Sequence, residues 1–153
     1  MRYAILLILL CAACVSCGDE GPPGPPPDDA GPKGRVVARI SGIRSDDGTI
    51  LARLYHGGGG FPSNAEAAYR RGTTRIQDGK ATVTFEDVPH GEYALWICHD
   101  EDGDGELKTN IIGMPQEGVG VSGPPPSFAP KYGDARFTHD GTLSEHDIAL
   151  RYL

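Results

Sequence analysis

Long hydrophobic runs, cysteines and basic residues are all scarce in this 153-residue chain. Its one apolar run, residues 3–10, is too short to cross a bilayer as a mature helix. Three of the four cysteines lie within the first 17 residues, so a disulfide framework is not expected in the rest of the chain. Lys and Arg number 14 against 21 Asp and Glu, and the net charge of −7 argues against nucleic acid as a partner.

The first 17 residues have the pattern of a targeting segment: Arg2, an apolar run, then small residues and cysteines. They resemble the signal of a bacterial lipoprotein, in which a cysteine is acylated and becomes the first mature residue. Cys17 is the favoured acylation position because a longer apolar run precedes it and a polar stretch follows, and Cys14 is the alternative. A secretory signal without lipid is the competing interpretation. We therefore expect an envelope protein anchored to the membrane by lipid, on its periplasmic or cell-surface side.

Residues 18–34 differ in composition from the rest of the chain, since they contain the proline-rich run Gly21 to Pro27 and acidic residues. Proline lacks an amide donor and favours extended backbone, so this segment is predicted to be a disordered tether. Residues 35–153 show no internal repeat and no sign of a second core. They are expected to form one monomeric domain with an unknown protein or glycan ligand.

Apolar residues alternate with polar ones through most of residues 35–153, which predicts β-strands. The alternating sets are Val36, Ala38 and Ile40; Ile50, Ala52 and Leu54; Ala81, Val83 and Phe85; and Ile148, Leu150 and Tyr152. Residues 93–98 are apolar on both faces, as expected for a central strand covered on each side. We predict an all-β fold, an antiparallel β-sandwich of the immunoglobulin-like or transthyretin-like type.

Two local signals refine this prediction. Asp47-Gly48 between the first two alternating runs predicts a β-hairpin turn. The segment Ser63 to Tyr69 predicts one short surface helix, with Ser63 as N-cap and Glu66 completing a capping box.

The acidic stretch behind the central strand carries the clearest chemical signal. Asp100, Asp102 and Asp104, followed by Gly105, match the first half of the calcium loop D-x-D-x-D-G. The bidentate glutamate of a complete loop is missing, because its position is occupied by Ile111. The expected ligands are the side chains of Asp100, Asp102 and Asp104 and the backbone carbonyl of Glu106, with Asn110 or Glu117 in place of the missing glutamate.

Calcium is the predicted ion because close carboxylates repel one another unless a cation neutralises them. Magnesium requires stricter octahedral geometry, and zinc prefers nitrogen and sulfur ligands. The competing interpretation is an Asp/Gly-rich turn whose side chains bind local amides without an ion.

Several motifs together resemble one bacterial family, the domain of unknown function 2141. The acidic core H-D-x-(D/N)-G-(D/N)-G-x-L-x-T-N, here residues 99–110, is followed by G-x-P-x-E-G at residues 113–118. The turn F-x-x-(V/L)-P-x-G-x-Y, residues 85–93, also resembles turns in transthyretin-like and carboxypeptidase-regulatory-like sandwiches. The resemblance implies a secreted or envelope-associated β domain and implies no reaction.

Two functions of other classes remain open beside a non-enzymatic binding or structural domain. A metal-dependent hydrolase would use His99 and Glu117 around the same ion, and it requires the two side chains to converge. A carbohydrate-binding or adhesion module would require exposed aromatic rings on one face, for which Tyr55, Phe61 and Tyr132 are the candidates.

Overall fold

Two β-sheets packed face to face form the part of the chain that the computed structural model describes, residues 27–124 and 130–152. The elements are β1 (Lys33–Ser41), β2 (Thr49–Tyr55), β3 (Arg70–Thr74), β4 (Ala81–Pro89), β5 (Gly91–Asp100), β6 (Gly118–Val121), α1 (Tyr132–Ala135), β7 (Phe137–His139) and β8 (Leu143–Ala149). A 3₁₀ helix, Ala65–Ala67, lies between β2 and β3. The predicted all-β sandwich is confirmed.

The sheets have the strand orders β4-β1-β8 and β3-β2-β5-β6, and β7 pairs with the beginning of β5. Every strand pair is antiparallel except β1 with β8, which run parallel. The central strand predicted from residues 93–98 is β5, which lies between β2 and β6. Its position places the acidic loop, which follows Asp100, at one end of the larger sheet.

The core between the sheets comes from the alternating residues named above, as predicted. Val36 and Ala38 of β1, and Ile50 and Leu54 of β2, are all fully buried. Burying a side chain of this size contributes about 1.5–3 kcal/mol, so these rows fix which face of each strand points inward. The alternation in the sequence therefore correctly predicts which face of each main strand points into the core.

A second apolar cluster covers the outer face of the larger sheet. It consists of Tyr55, Phe61, Ala94, Trp96, Cys98, Val119, Val121 and Ala135. The segment between β2 and β3 and the helix α1 supply the residues that cover this face. The strand β5 is thus buried on both sides, as its sequence predicts.

The predicted hairpin at Asp47-Gly48 is wrong, because β1 and β2 belong to different sheets. The turn carries the chain across the sandwich and packs against the end of β5. Gly48 has φ +71°, and a Cβ there would lie 2.0 Å from the carbonyl oxygen of Asp100. Glycine is therefore required at position 48 both by the positive φ of the turn and by close packing against the backbone of Asp100.

The predicted helix starts one residue later than expected. Asn64, and not Ser63, is the N-cap, and its side chain accepts a hydrogen bond from the N–H of Glu66. The strands β3, β6 and β7 and the helix α1 were not predicted, because they are short and rich in glycine or polar residues.

The signal, including Cys14 and Cys17, and the first part of the tether lie outside the described residues. The last residues of the tether already belong to the sheet, since β1 begins at Lys33. In residues 27–124 and 130–152, no helix has the length and apolar character needed to cross a membrane.

Two histidines make the stability of the fold depend on pH. His139 is fully buried, and its Nδ1 lies 2.7 Å from the hydroxyl of Ser144. Its Nε2 and the Nε2 of His146 are buried without a partner in the part of the chain described. Burial lowers the pKa of both imidazoles below the ordinary value of 6.5.

We predict that acidification destabilises this domain before its carboxylates titrate. The unfolded state binds more protons than the folded state once the pH falls below 6.5, so the free energy of unfolding decreases from that pH downward. Urea denaturation of the wild type and of the double variant His139→Gln/His146→Gln, between about pH 7 and pH 5, measures this decrease. The double variant should lose most of the slope, and an equal slope in both proteins would contradict the assignment.

Candidate metal centre

The acidic loop is folded around the carboxylate of Asp100, the last residue of β5. Only 2% of Asp100 is exposed. One of its oxygens accepts hydrogen bonds from the N–H groups of Gly103 at 2.8 Å and Asp104 at 3.2 Å, and the other accepts one from Gly105 at 2.9 Å. Gly103 and Gly105 have φ values of +75° and +82°, which glycine adopts without strain. The loop therefore curls as the D-x-D-x-D-G pattern predicts.

Glu117 holds the loop from the other side, directly before β6. It is also 2% exposed, and its two oxygens accept hydrogen bonds from the N–H of Glu101 at 3.0 Å and of Lys108 at 2.9 Å. One carboxylate thus joins the first residues of the loop to its last. Glu117 was one of two candidates for the missing glutamate, and no spacing rule distinguished it from Asn110.

Asp100, Asp102 and Glu117 come together in space. Each offers one carboxylate oxygen, and these oxygens lie within 4.8 Å of one another. An ion placed among the three oxygens would lie at most about 2.8 Å from each of them, close to the calcium–oxygen distance of 2.3–2.6 Å. The three carboxylates could therefore hold a metal ion.

The side chains of Asp104 and Glu106 are not in this group, and Asn110 makes hydrogen bonds of its own. Asp104 accepts a hydrogen bond from the N–H of Glu106, whose own side chain is exposed. Asn110 accepts hydrogen bonds from the N–H groups of Ile112 and Met114, and so it caps the turn at the tip of the next loop. Ile111, in the sequence position of the missing glutamate, is fully exposed on this tip.

Two cations lie at the edge of the acidic group. The ammonium of Lys108 is 2.6 Å from Asp102, and it holds the pKa of that carboxyl below its ordinary value. The guanidinium of Arg44 binds both oxygens of Glu101 and lowers the pKa of Glu101 in the same way. Asp102 is consequently ionised at neutral pH, and a metal ion would compete with Lys108 for it.

Cys98 lies directly below the group, with its Sγ 3.8 Å from a carboxylate oxygen of Glu117. Burial, together with the nearby negative charges, raises the pKa of this thiol well above its ordinary value. The thiol stays protonated at neutral pH and is unsuited to be a nucleophile. Cys98 behaves as the buried small hydrophobe that its place in an apolar strand predicts.

His99 lies on the opposite face of β5 from Asp100, because adjacent strand residues alternate. It is fully buried, with Nδ1 2.8 Å from the hydroxyl of Tyr152 and Nε2 2.8 Å from the carbonyl oxygen of Asp47. Both ring nitrogens are occupied, and neither is free to accept a proton from a substrate. The geometry therefore does not support a hydrolase that uses His99 and Glu117 together.

The aromatic candidates do cluster, but inside the protein. Tyr55 and Phe61 are 0% and 3% exposed, respectively. The ring centroid of Phe61 lies 5.2 Å from that of Tyr55 and 5.9 Å from that of Tyr132. The hydroxyl of Tyr55 donates within the neighbouring loop, at 3.0 Å to the carbonyl of Pro62. These rings stabilise the outer apolar cluster, and they do not form an exposed platform for stacking sugars.

Comparison with known proteins yields one match. Residues 38–146 match the model of a family described as an uncharacterized protein conserved in bacteria (DUF2141). The chain belongs to this family. The matched range includes the acidic loop and Glu117, so the whole carboxylate group lies in the part that defines a DUF2141 protein. No curated protein and no solved structure matches the chain.

We predict that Asp100→Asn destabilises the domain even without any metal. The amide nitrogen of asparagine cannot accept the N–H of a loop glycine, so at least one backbone N–H loses its hydrogen bond to a charged acceptor, at a cost of about 1.5–3 kcal/mol. Urea denaturation in the presence of a chelator measures this loss. Asp102→Asn is the matched control, since the exposed Asp102 pairs with Lys108, and its effect should be clearly smaller. Equal effects of the two variants would contradict the structural role of Asp100.

Proposed function

We propose that this DUF2141 protein is a lipid-anchored envelope protein with a non-enzymatic β-sandwich whose acidic loop binds calcium. The observation that carries the proposal is the convergence of Asp100, Asp102 and Glu117, with two of the three carboxylates almost completely buried. Burying two carboxylates side by side is unfavourable unless a cation or several hydrogen bonds compensate for it. Backbone N–H groups supply part of that compensation, and a divalent cation supplies the rest.

Calcium fits this group better than other common ions do. All the ligand atoms are hard carboxylate oxygens, which suit calcium and magnesium and do not suit zinc or copper. The three ligands come from the end of β5, the loop after it and the residue before β6, and calcium tolerates such irregular geometry while magnesium does not. Water and the backbone carbonyl of Glu106 would complete the shell.

The affinity should be weak for two reasons. The group supplies three carboxylates and lacks the bidentate glutamate of a complete calcium loop, and the ion must displace the ammonium of Lys108 from Asp102. Extracellular calcium modules bind with dissociation constants of about 10⁻⁴–10⁻³ M, and we place this site in that range. Such a site would be filled outside the cell, where calcium is abundant, which agrees with a position in the envelope.

The proposed role of the ion is to stabilise the loop for presentation to a ligand. Asp102 belongs to the loop, whereas Asp100 ends β5 and Glu117 precedes β6. An ion bound by all three would fasten Asp102 to the ends of these two neighbouring strands.

We predict that calcium raises the melting temperature of the purified full chain in a saturable manner, with a midpoint near the millimolar range. Asp102→Asn should weaken binding about tenfold or more, because the ion loses a charged ligand. Asp140→Asn is the matched control, since it removes the same charge from an exposed position outside the acidic loop. Thermal unfolding and isothermal titration calorimetry provide the measurements.

Lys108→Gln gives the sharper test because it should increase calcium affinity, whereas Asp102→Asn should decrease it. Removing the ammonium frees Asp102, so calcium should bind more tightly than to the wild type. A destabilised protein would not show this gain. If neither the wild type nor Lys108→Gln responds to calcium up to about 10 mM, ten times the weakest affinity expected, the loop is a hydrogen-bonded turn without an ion.

The anchor is tested separately from the ion. In a bacterial host that processes lipoproteins, we predict a mature N-terminus at Cys17 carrying a diacylglycerol group, identified by mass spectrometry. Cys17→Ser should release the protein from the membrane fraction, and Cys14→Ser should leave it there. The reverse pattern would assign the lipid to Cys14, and an unmodified mature N-terminus would refute lipid anchoring.

A further inference from the structure

A pocket of about 560 Å³ lies on the outer face of the larger sheet, beside the acidic loop and distinct from its carboxylate group. Arg53 and Trp96 form part of its lining on the sheet. Pro62 and Ala65 line it from the segment between β2 and β3, and Leu107 lines it from the loop after β5. Its volume falls within the range of about 300–1,000 Å³ that is usual for small-ligand sites.

Arg53 is the unusual residue in this pocket because its charge is buried without a counter-ion. It is 9% exposed, and its guanidinium lies over the ring of Trp96 at 4.4 Å from the centroid. No carboxylate in the described part of the chain lies within ion-pair distance of it, although eight ion pairs join other arginines and lysines to carboxylates there. Arginines as buried as this are almost always paired.

A second arginine increases the positive charge at this place. Arg71 of β3 is directly opposite Arg53 in the strand register, and Trp96 is opposite Arg53 on the other side. Like charges directly opposite one another on neighbouring strands are unfavourable. Glu66, which also lines the pocket, pairs with Arg71 at 2.6 Å and offsets one of the two charges. Arg53 is left without an ion-pair partner among the described residues.

We propose that the pocket binds a small organic acid, with its carboxylate on Arg53. The planar guanidinium presents parallel N–H donors that match the two oxygens of a carboxylate. The ring of Trp96 holds the guanidinium in place, so little side-chain entropy is lost on binding. The apolar lining from Pro62, Ala65 and Leu107 accommodates the carbon skeleton of the acid.

Glu106 forms part of the lining of the same pocket and opposes this ligand. It is exposed, and no cation of the described residues pairs with it. The negative charge of Glu106 repels the carboxylate of the ligand and weakens its binding to Arg53. Replacing Glu106 with a neutral residue should therefore increase the affinity of the pocket for the acid.

The experiment titrates the full chain with benzoate and, separately, with the neutral isostere benzamide, and it follows binding by ligand-observed NMR. Calcium is first removed by passage over an immobilised chelating resin, since a soluble chelator is itself a carboxylic acid. Calcium then cannot bridge a carboxylate to the acidic loop, and the result is independent of the calcium proposal. Benzoate should bind saturably and benzamide should not, and added salt should weaken the binding of benzoate. Two further pairs of acid and neutral analogue are then compared in the same way: glucuronate with glucose, and N-acetylalanine with its amide. The acid that binds more tightly shows whether a sugar acid or an amino-acid carboxylate is the preferred ligand.

Two variants with opposite expectations complete the test. Arg53→Gln should weaken benzoate binding about tenfold or more, whereas Arg39→Gln, an exposed arginine of the other sheet, should have no effect. Glu106→Gln should strengthen binding, and it remains decisive if Arg53→Gln fails to fold. Equal binding of benzoate and benzamide, unchanged affinity in a folded Arg53→Gln, or unchanged or weaker binding by Glu106→Gln would overturn the proposal.

Discussion

Backbone N–H groups in the loop after β5 find their acceptors in two buried carboxylates, and the local architecture depends on this arrangement. Asp100 accepts from Gly103, Asp104 and Gly105, and Glu117 accepts from Glu101 and Lys108. A loop that curls this tightly cannot pair these donors with other backbone groups, and losing a hydrogen bond to a charged acceptor costs about 1.5–3 kcal/mol. Charged acceptors satisfy them more strongly than neutral ones do. The carboxylates therefore fix the loop, and the loop brings Asp102 to the same place.

The same carboxylates create an electrostatic requirement. Asp100 and Glu117 are both 2% exposed, and the nearest full positive charges, Lys108 and Arg44, pair with Asp102 and Glu101 instead. Among the described residues, the buried pair is compensated by backbone N–H groups and the Cys98 thiol, and no cation pairs with it. Asp102 has two possible partners, the flexible ammonium of Lys108 and a cation at the centre of the group. Because the ammonium is exposed and screened by solvent, the contact with Lys108 is weak, and a divalent ion with two further ligands is able to displace it.

The features of the fold and of the carboxylate group that depend on residues close together in the sequence could be predicted, and those that depend on distant residues could not. Alternation in residues such as Val36, Ala38 and Ile40 encodes which face is buried, and the short pattern around Asp102 encodes a curled loop, so both followed from local sequence. The sheet to which each strand belongs is not a local property, and for this reason the turn at Gly48 was mistaken for a hairpin although it crosses between sheets. Glu117 could be named only as one candidate of two, because its approach to Asp100 depends on β6, whose Gly-Val-Gly-Val sequence has no strong strand signal. The pairing of Arg53 with Arg71 and Trp96 was missed altogether, since it depends on strand register.

The loop after β5 connects the two sites on this end of the sandwich. Its first part contributes Asp102 to the carboxylate group, and its second part contributes Gly105 and Leu107 to the lining of the pocket around Arg53. The carboxylate group and the pocket around Arg53 are therefore built on one short segment, and the ligands proposed for them carry opposite charges. An ion that fixes the loop would also fix this wall of the pocket, and a second ligand would then lose less conformational entropy on binding. Because linkage is reciprocal, an acid bound at Arg53 would in turn favour the ordered loop and tighten the ion.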